Sequence, residues 1–335
     1  MKRFRIVLVT LQFLALAIVT LLLAVPSWAQ MDGLSSREQI IKWTPLWKGE
    51  RLPDGRPKVS DDLIKRLCNG TTSEEASWGP IRQAGYLHQW EGGFMTTHPE
   101  MRLCGRAFTV RWFPGRPEMM KVINDDAEAK GQSQMNVRTM DMLQQGDVAI
   151  ADFYNNIIDG VYTGDNLAVS IWARTGNGYV VNGGIRDVEG TAPYPFPVYF
   201  RAPWPGTFPG KMVVCVNCPV QIGEVTVMPG DVVLGDREGL TFIPPHLVEA
   251  VVKHHEITSL VDDWRKAKYI EAKGSIKPSE LYGSIAFQNP AYRKECIAYV
   301  QKKFTEKGQK VPVPTQDNAF CGEPPRQSQP PAKKP

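Results

Sequence analysis

Two acidic residues and an arginine stand at a spacing that could build a binding site. Asp165 is followed, after twenty intervening residues, by the adjacent pair Arg186 and Asp187. A carboxylate can bind a divalent cation, and a guanidinium can hold a carboxylate through two parallel hydrogen bonds. The three side chains therefore predict a site for a hydrated metal ion beside a small anion.

The elements that must position these side chains form a strand–helix–strand unit. The pattern predicts strands at Gly146–Asp152 and Gly178–Val181, a helix at Gly164–Thr175 and a glycine-rich turn over residues 182–187. Two strands joined through a helix are normally parallel. The start of the helix and the turn after the second strand then lie at the same sheet edge, where open α/β sheets bind ligands.

The start of the predicted helix adds donors for an anion. Thr163 is expected to cap the helix, and the backbone N–H groups of Asp165, Asn166 and Leu167, next to Gly164, are expected to bind one carboxylate oxygen. The guanidinium of Arg186, opposite these amides, is expected to bind the same anion from the other side. The predicted ligand is an α-keto acid whose carboxylate lies between Arg186 and the helix start.

Asp187 is the best candidate for a metal ligand. Mg²⁺ keeps several waters and is often bound through one or two carboxylates. Asp165 is expected to hold one of these waters rather than the metal itself. The keto oxygen of the ligand would then face the metal.

Composition limits the class of protein. The chain has 335 residues, 42% hydrophobic and 22% charged, and a formal net charge of +4 to which both terminal segments contribute. This length accommodates one large domain or two smaller ones. The nearly neutral middle gives no electrostatic argument for nucleic-acid binding.

Residues 1–29 have the features of a secretion signal. A basic start at residues 2–5 precedes an apolar run over residues 6–25, and Ser27 and Ala29 precede a predicted cleavage point. The run is also long enough to span a bilayer, so an uncleaved membrane anchor stays as the alternative. Either reading predicts a periplasmic or secreted protein.

All six cysteines follow this segment, as expected where disulfides form. A bridge between Cys296 and Cys321 is expected to fasten the C-terminal segment. Cys215 and Cys218 resemble a redox motif, but Pro219 follows and no helix begins there. A second pair of zinc ligands is also missing nearby, so neither a redox nor a zinc site is predicted.

The organisation of the chain follows from its breakers and periodicity. After the signal, residues 30–55 form an N-terminal extension, residues 56–261 the main domain, residues 262–310 a charged helical extension and residues 311–335 a proline-rich disordered tail.

Several runs of residues resemble the RraA-like family, which includes the 4-hydroxy-4-methyl-2-oxoglutarate aldolases. They occur in the family's order between about residues 56 and 260: Arg102–Arg111, Gly146–Val148, Gly164–Leu167, Val180–Val188, Pro219–Gly223, Val227–Asp231 and Asp236–Gly239. The resemblance implies an α/β fold, with a β/β/α, swivelling-domain-like core, a mixed sheet and a helical C-terminal extension. It also implies a homotrimer or hexamer with sites near subunit boundaries.

The resemblance implies functional roles as well. The residue that matches Asp187 binds Mg²⁺ or Mn²⁺, the one that matches Asp165 orders a metal-bound water, and the one that matches Arg186 binds the pyruvyl group. The expected activity is a metal-dependent, class II type aldolase that cleaves a 4-hydroxy-2-oxo acid to pyruvate and also decarboxylates oxaloacetate. The alternative is a non-catalytic periplasmic binding or regulatory protein of the same family.

This chain also departs from the family pattern. Asn155, Asn156 and Asn182 stand where relatives more often have glycine or aspartate, and the segment near residues 71–100 is expanded. These differences leave the identity of the acid open.

Overall fold

A mixed β-sheet organises the computed structural model, which describes residues 35–129, 131, 135–282, 289–311 and 321. Within these residues the sheet has nine strands in the order β1-β11-β10-β3-β4-β5-β6-β2, with β7 paired to β3, and β8 and β9 form a separate hairpin. The strands are β1 (Trp90–Glu91), β2 (Met95–Thr96), β3 (Leu103–Pro114), β4 (Asp147–Val161), β5 (Tyr179–Ile185), β6 (Val198–Pro203), β7 (Lys211–Val216), β8 (Val220–Ile222), β9 (Val225–Val227), β10 (Val232–Asp236) and β11 (Gly239–Ile243).

Helices cover the sheet and continue beyond it. They are α1 (Arg37–Trp43), α2 (Asp61–Cys68), α3 (Ser73–Trp78), α4 (Pro80–Gln83), α5 (Pro117–Ala129), α6 (Met135–Asp141), α7 (Asp165–Thr175), α8 (Val188–Thr191), α9 (Val248–Ala272), α10 (Pro278–Leu281) and α11 (Pro290–Glu306). The predicted α/β class with a mixed sheet and C-terminal helices is therefore confirmed.

The centre of the sheet is parallel, as the strand–helix–strand pattern predicted. Strands β3, β4, β5 and β6 pair in parallel, whereas the other pairs are antiparallel. The carboxyl ends of β4 and β5 therefore meet at one edge, and α7 begins there.

The glycine-rich segment after Val181 differs from the prediction. It was expected to be a turn, but β5 continues through it to Ile185, and β4 also runs past its predicted end at Asp152 with two register shifts. Gly183 explains the difference, because a side chain there would lie 2.6 Å from the carbonyl oxygen of Gly160. Glycine lets the irregular half of β4 approach β5 closely enough to pair.

Other boundaries moved as well. The helix expected over residues 245–261 is a 3₁₀ turn at Pro245–Leu247 followed by α9, which extends to Ala272. The expected domain boundary after residue 261 thus falls inside a helix. The predicted signal at residues 1–29 and all of the predicted tail except Val311 and Cys321 lie outside the described residues.

The two faces of the sheet bury separate apolar clusters. One cluster contains Phe108, Trp112 and Tyr162 and packs against Ile171 of α7, and the other packs the opposite face against the β8–β9 hairpin. A third cluster joins the start of α9 to the sheet edge, and a fourth joins its second half to α11. No helix among the described residues is long and apolar enough to cross a membrane.

All six cysteines are paired in disulfides. Cys296 is bonded to Cys321, as predicted, with a Cα–Cα distance of 6.0 Å. The other bridges are Cys68–Cys104, which joins α2 to β3, and Cys215–Cys218, which lies between β7 and β8.

Candidate functional site

The candidate site lies where β4 passes into α7. Gly164 is the N-cap of α7 and has an extended backbone, and no side chain caps the helix. The prediction that Thr163 caps the helix is wrong, because its hydroxyl is 2.5 Å from the hydroxyl of Tyr179 and is buried against β5. Gly176 ends α7 in the left-handed conformation, with φ of 74°.

Two of the three predicted amide donors remain at the helix start. In an α-helix the first N–H groups have no partner within the helix. The Asn166 N–H, however, donates to Oδ1 of Asp165 at 2.7 Å, and its contact with a ligand stays a prediction. The amides of Asp165 and Leu167 are the ones left for an anion.

Arg186 and Asp187 lie directly against Gly164. Nε of Arg186 is 3.3 Å from Oδ2 of Asp187, and the two side chains are 37% and 46% exposed. A Cβ atom on Gly164 would lie 2.3 Å from Asp187 Oδ2 and 2.9 Å from Arg186 Nε. The missing side chain of Gly164 therefore creates the space that both charged groups occupy beside the helix start.

Asp187 adopts an unusual backbone conformation to reach this place. Its φ is 57°, in the left-handed region that few residues other than glycine adopt, and it is the N-cap of α8. Strained conformations of this kind are frequent at functional sites. The strain therefore marks Asp187 as a residue whose position matters.

Asp165 lies on the other side of the same junction. A Cβ atom on Gly190 in α8 would be 2.5 Å from Oδ2 of Asp165. The carboxylate of Asp165 is thus held between α7 and α8, near the N-cap that Asp187 forms. The structure brings together Gly164, Asp165, Arg186 and Asp187, whereas the catalytic, metal-binding and substrate-binding roles assigned to them stay predictions.

A cavity of about 430 Å³ opens beside this group. Its size falls within the range of roughly 300–1,000 Å³ that is usual for small-molecule sites. Arg186, Gly164, Leu167, Lys211, Phe208 and Asn136 are among the residues of its wall. Asp165 and Asp187 adjoin Gly164 and Arg186 and are not wall residues themselves.

The electrostatic character of the cavity favours an anion. Arg186 and Lys211 bring positive charge, and the open start of α7 adds the positive end of a helix dipole. Nζ of Lys211 donates to the hydroxyl of Tyr154 at 2.6 Å, so this ammonium is directed to the outer side of the cavity. Arg186 is then the cation nearest to the helix start.

The tyrosine in the wall is unsuited to act as a base. Burial raises the pKa of Tyr162 well above its usual value, and the hydroxyl of Tyr162 is 2.9 Å from the hydroxyl of Thr139. Burial raises the pKa of Tyr179 in the same way. Both hydroxyls therefore stay protonated near neutral pH.

Metal binding would have to rely on few protein ligands. Within the described residues no group of three or more His, Cys, Asp or Glu side chains lies close enough to hold a metal ion. Mg²⁺ is commonly held by one or two carboxylates and several waters, so the predicted role of Asp187 as a metal ligand stays a prediction.

Sequence reasoning missed part of the cavity wall. Asn136, at the start of α6, and the loop that carries Thr207 and Phe208 contribute to it. The sequence pattern predicts a helix over about residues 137–145 in that region, and Asn136 lies just before it. No motif or spacing in the sequence connects these residues to Arg186.

The structure is that of an α/β protein with a parallel sheet centre and a cavity, partly lined by Arg186 and Lys211, at a helix start. A family model described as RraA-like, Aldolase/RraA, matches residues 57–242, which is more than half of the chain. The chain therefore belongs to the RraA-like family.

Individual relatives are distant. Protein DlpA of Legionella pneumophila is 28% identical over 196 residues, which cover 57% of this chain and 29% of DlpA. A protein of Halalkalibacterium halodurans named putative 4-hydroxy-4-methyl-2-oxoglutarate aldolase is 30% identical over 89 residues, which cover 27% of this chain and 42% of that protein. The matches thus span less than half the length of these two relatives.

The fold is similar to solved structures of the family. RraAS2 of Streptomyces coelicolor, titled an unusual member of the RNase ES inhibitor RraA protein family, has a TM-score of 0.52 at 19% identity. The similarity covers 64% of this chain and all of that one. At this identity the likeness concerns the fold alone.

Proposed function

We propose that the protein is a divalent-metal-dependent carbon–carbon lyase, an aldolase that cleaves a 4-hydroxy-2-oxo acid to pyruvate and a second carbonyl compound. The observation that carries the proposal is the convergence of Arg186 and Asp187 on the space left by Gly164, beside a cavity at the start of α7. Family membership and relatives named as aldolases support it.

Binding of the substrate follows from the charges around the cavity. The carboxylate of the 2-oxo acid would lie between the Arg186 guanidinium and the amides of Asp165 and Leu167. Charge-assisted hydrogen bonds of this kind are stronger than neutral ones. They would place the 2-oxo group towards Asp187.

The residues at this point fit a hydrated divalent cation. The Asp187 carboxylate is half-exposed, so it can replace one water of Mg²⁺ or Mn²⁺ without a desolvated cage. Asp165 is placed across the α7–α8 junction and would hold a water of the hydration shell. The cation would polarise the 2-oxo group and stabilise the negative charge that develops as the C3–C4 bond breaks.

Groups of the protein, or water that they bind, must accept the proton of the 4-hydroxyl group during cleavage. Cleavage removes the proton of the 4-hydroxyl group, transfers the electron pair of the C3–C4 bond to the pyruvate enolate and returns a proton to C3. Burial keeps Tyr162 protonated, so it is not the base. Water held by Asp165 is the proposed acceptor of the proton. The same enolate would form if oxaloacetate lost carbon dioxide.

An Asp187→Asn variant tests the proposal directly. We expect kcat for pyruvate release, followed by a coupled lactate dehydrogenase assay, to fall about 100-fold or more, because the variant loses its anionic ligand. The matched control is Glu189→Gln, an exposed acidic residue in the first turn of α8. A chelator should abolish wild-type turnover, and added Mg²⁺ or Mn²⁺ should restore it. Full activity of Asp187→Asn would contradict the proposal.

The alternative is a non-catalytic member that binds 2-oxo acids or regulates another protein. It is supported by the inhibitor family named for the S. coelicolor structure, whose fold this chain shares. Saturable binding of pyruvate, without turnover of any of several 4-hydroxy-2-oxo acids in the presence of Mg²⁺, would favour this function.

We also propose that the protein acts in the periplasm or is secreted. The signal-like residues 1–29 and the three disulfides support this location. Cell fractionation combined with N-terminal sequencing of the mature protein tests it. A first residue of Gln30 in a soluble extract is expected, whereas an intact N-terminus in the membrane fraction would favour the anchored alternative.

A further inference from the structure

Charge is distributed unevenly along the chain. The C-terminal extension, residues 262–310, contains eleven Lys or Arg and six Asp or Glu, so its formal net charge is +5. Residues 30–261 contain 22 Lys or Arg and 27 Asp or Glu, which gives a net charge of −5. A cationic extension is thus attached to an anionic body. Such an asymmetry between two parts of a chain indicates an anionic partner for the cationic part.

The extension is an addition to the family domain with its own packing. It lies outside residues 57–242, which the family model matches. The second half of α9 and α11 bury a separate apolar cluster, which includes the Cys296–Cys321 disulfide. The positive charge therefore belongs neither to the matched domain nor to the candidate site.

Three lysines of the extension are exposed and lie close together in the sequence. Lys266 and Lys273 are seven residues apart, so they lie on the same face of α9, and Lys277 follows shortly after this helix. The ion pairs in the second half of α9 use Arg265 and Lys268 instead. Within the described part of the chain, the three exposed ammonium groups therefore have no ion-pair partner.

Two exposed apolar side chains accompany these lysines. Ile270 lies between Lys266 and Lys273 along α9 and is 77% exposed, and Tyr282 is 69% exposed beside Arg265, whose guanidinium carbon is 5.6 Å from the ring centroid. Among the large hydrophobic residues that the structure describes, these two are the most exposed. Lysines next to aliphatic and aromatic groups are typical of surfaces that lie on a bilayer.

We propose that the C-terminal extension binds the surface of a bilayer that contains anionic lipids. The three lysines would contact the anionic headgroups, and Ile270 and Tyr282 would enter the boundary between headgroups and acyl chains. A bilayer fits better than a nucleic acid or an acidic protein, because it has an aliphatic layer beneath its anionic groups. The same surface repels the anionic body and would turn it away. This inference is independent of the proposed enzymatic activity.

Vesicle binding tests the proposal. A chain that begins at Gln30 keeps every described residue and lacks the apolar run over residues 6–25, which could itself insert. In cosedimentation it should bind vesicles of phosphatidylglycerol and phosphatidylcholine, and vesicles of phosphatidylcholine alone at least about tenfold more weakly. Raising the salt from about 50 mM to about 500 mM should weaken the binding, because salt screens exposed charges.

Variants assign the binding to the proposed face. The triple variant Lys266→Gln/Lys273→Gln/Lys277→Gln should bind the anionic vesicles about 100-fold more weakly, which is about fivefold for each cation removed. Ile270→Ser/Tyr282→Ser should weaken binding about tenfold and leave its salt dependence unchanged, because it removes only apolar contact. Thermal unfolding followed by circular dichroism shows whether each variant folds.

The matched control removes the same charge from exposed lysines of the body. Lys42→Gln/Lys48→Gln/Lys65→Gln should bind within about threefold of wild type, since exposed charges far from the contact are screened. Equal loss in the two triple variants, or equal binding to neutral and anionic vesicles, overturns the proposal. Binding to duplex DNA or polyglutamate without binding to vesicles would assign the face to a soluble polyanion and also overturns it.

Discussion

Gly164 is the residue on which the geometry of the candidate site most depends. It has no side chain at the start of α7, where the side chains of Arg186 and Asp187 both lie close to its backbone. Its φ of −103° is open to any residue, so space rather than backbone conformation requires glycine here.

A Gly164→Ala variant should therefore fold but lose function. The added methyl group would displace two half-exposed side chains that can move towards solvent, so the free energy of unfolding should change by less than about 1 kcal/mol. Displacement of these groups should lower kcat/KM about 100-fold, because small misplacements are costly at reacting centres. Urea unfolding and steady-state kinetics check the two expectations.

The control for this variant is Ala173→Gly, in the exposed part of the same helix. It should cost about 1 kcal/mol of stability and leave kcat/KM unchanged. Wild-type activity in Gly164→Ala would mean that Arg186 and Asp187 are not needed where the structure places them.

Asp231 should give the protein a distinctive pH dependence of stability. Burial raises the pKa of the Asp231 carboxyl from its usual value near 3.8 to about 8, and the Met228 N–H donates to its Oδ2 at 2.8 Å. Between these two pKa values the folded protein keeps the proton while the unfolded chain releases it. Stability therefore falls as pH rises through this window and levels off above the folded pKa.

An Asp231→Asn variant removes this titration and can still accept the Met228 hydrogen bond. Its free energy of unfolding, relative to wild type, should increase by about 1.4 kcal/mol per pH unit between about pH 5 and pH 7. Denaturant unfolding at several pH values measures the difference. A constant difference across that range would show that Asp231 has an ordinary pKa.

At the residue level, the sequence predicted which residues lie close together at the site better than it predicted the hydrogen bonds that they form. Spacing alone placed Arg186 and Asp187 beside the helix start, because parallel strands bring their carboxyl ends together. It failed for Thr163, whose hydroxyl bonds to Tyr179 across the sheet, and it did not predict that Asn136 of α6 would line the cavity. Contacts between segments that are far apart in the sequence leave no local sequence pattern from which they could be predicted.

At the element level, the sequence predicted well those segments whose ends are determined by residues within the segment or next to it. Ser60 as a cap and Asn69-Gly70 as a stop predict a helix at Asp61–Cys68. The structure has this helix with the same ends, and the side chain of Ser60 accepts the Leu63 N–H. The irregular end of β4 and the continuation of β5 through Gly183 depend on each other. Neither could be predicted from its own residues.

The buried ion pair between Arg56 and Asp147 is another feature that the sequence did not reveal. Two guanidinium nitrogens of Arg56 each donate to a different Asp147 oxygen at 2.9 Å, and both side chains are fully buried. The pair fastens the segment before α2 to the start of β4. The two residues are 91 positions apart in the sequence, so only the tertiary fold brings them together.

The C-terminal helices should depend on their disulfide more than the region around the candidate site does. Cys296 and Cys321 are 25 residues apart and are buried with Val300 and Phe304 of α11. In the chain-entropy account, a loop of this size contributes about 3 kcal/mol. The double variant Cys296→Ser/Cys321→Ser should therefore increase hydrogen exchange in α11 and leave exchange in β4, β5 and α7 unchanged.

Kinetics provide the second readout for this variant. Its kcat/KM should equal that of wild type, because the cluster that contains the disulfide includes no residue of the cavity wall. Increased exchange throughout the sheet would show instead that the C-terminal helices support the whole fold.

At the level of the whole molecule, the number of subunits is the main expectation still to be measured. The family resemblance predicts a trimer or a pair of trimers. We expect sedimentation velocity to give about three or six times the mass of one mature chain at micromolar concentration. The half-exposed Arg186 and Asp187 would then lie near a subunit boundary, and dissociation by dilution should lower the activity per chain. A stable, fully active monomer would contradict this prediction.

The family model and the fold agree on the central region, and the N- and C-terminal additions distinguish this chain. The matched residues 57–242 contain the whole candidate site. The helices that follow are held by their own buried cluster around Trp264 and Cys296. Substitutions in these N- and C-terminal segments should therefore affect stability or assembly more strongly than the proposed activity.

The 25 residues of α9 have a mechanical consequence. Val248, Val251 and Val252 anchor one end in the cluster at the sheet edge, while Leu260 and Trp264 anchor the other end in the C-terminal cluster. A continuous helix of this length is a stiff rod of about 37 Å. Because one rod is embedded in both clusters, the C-terminal helices should tumble together with the sheet in solution, at a fixed angle to it.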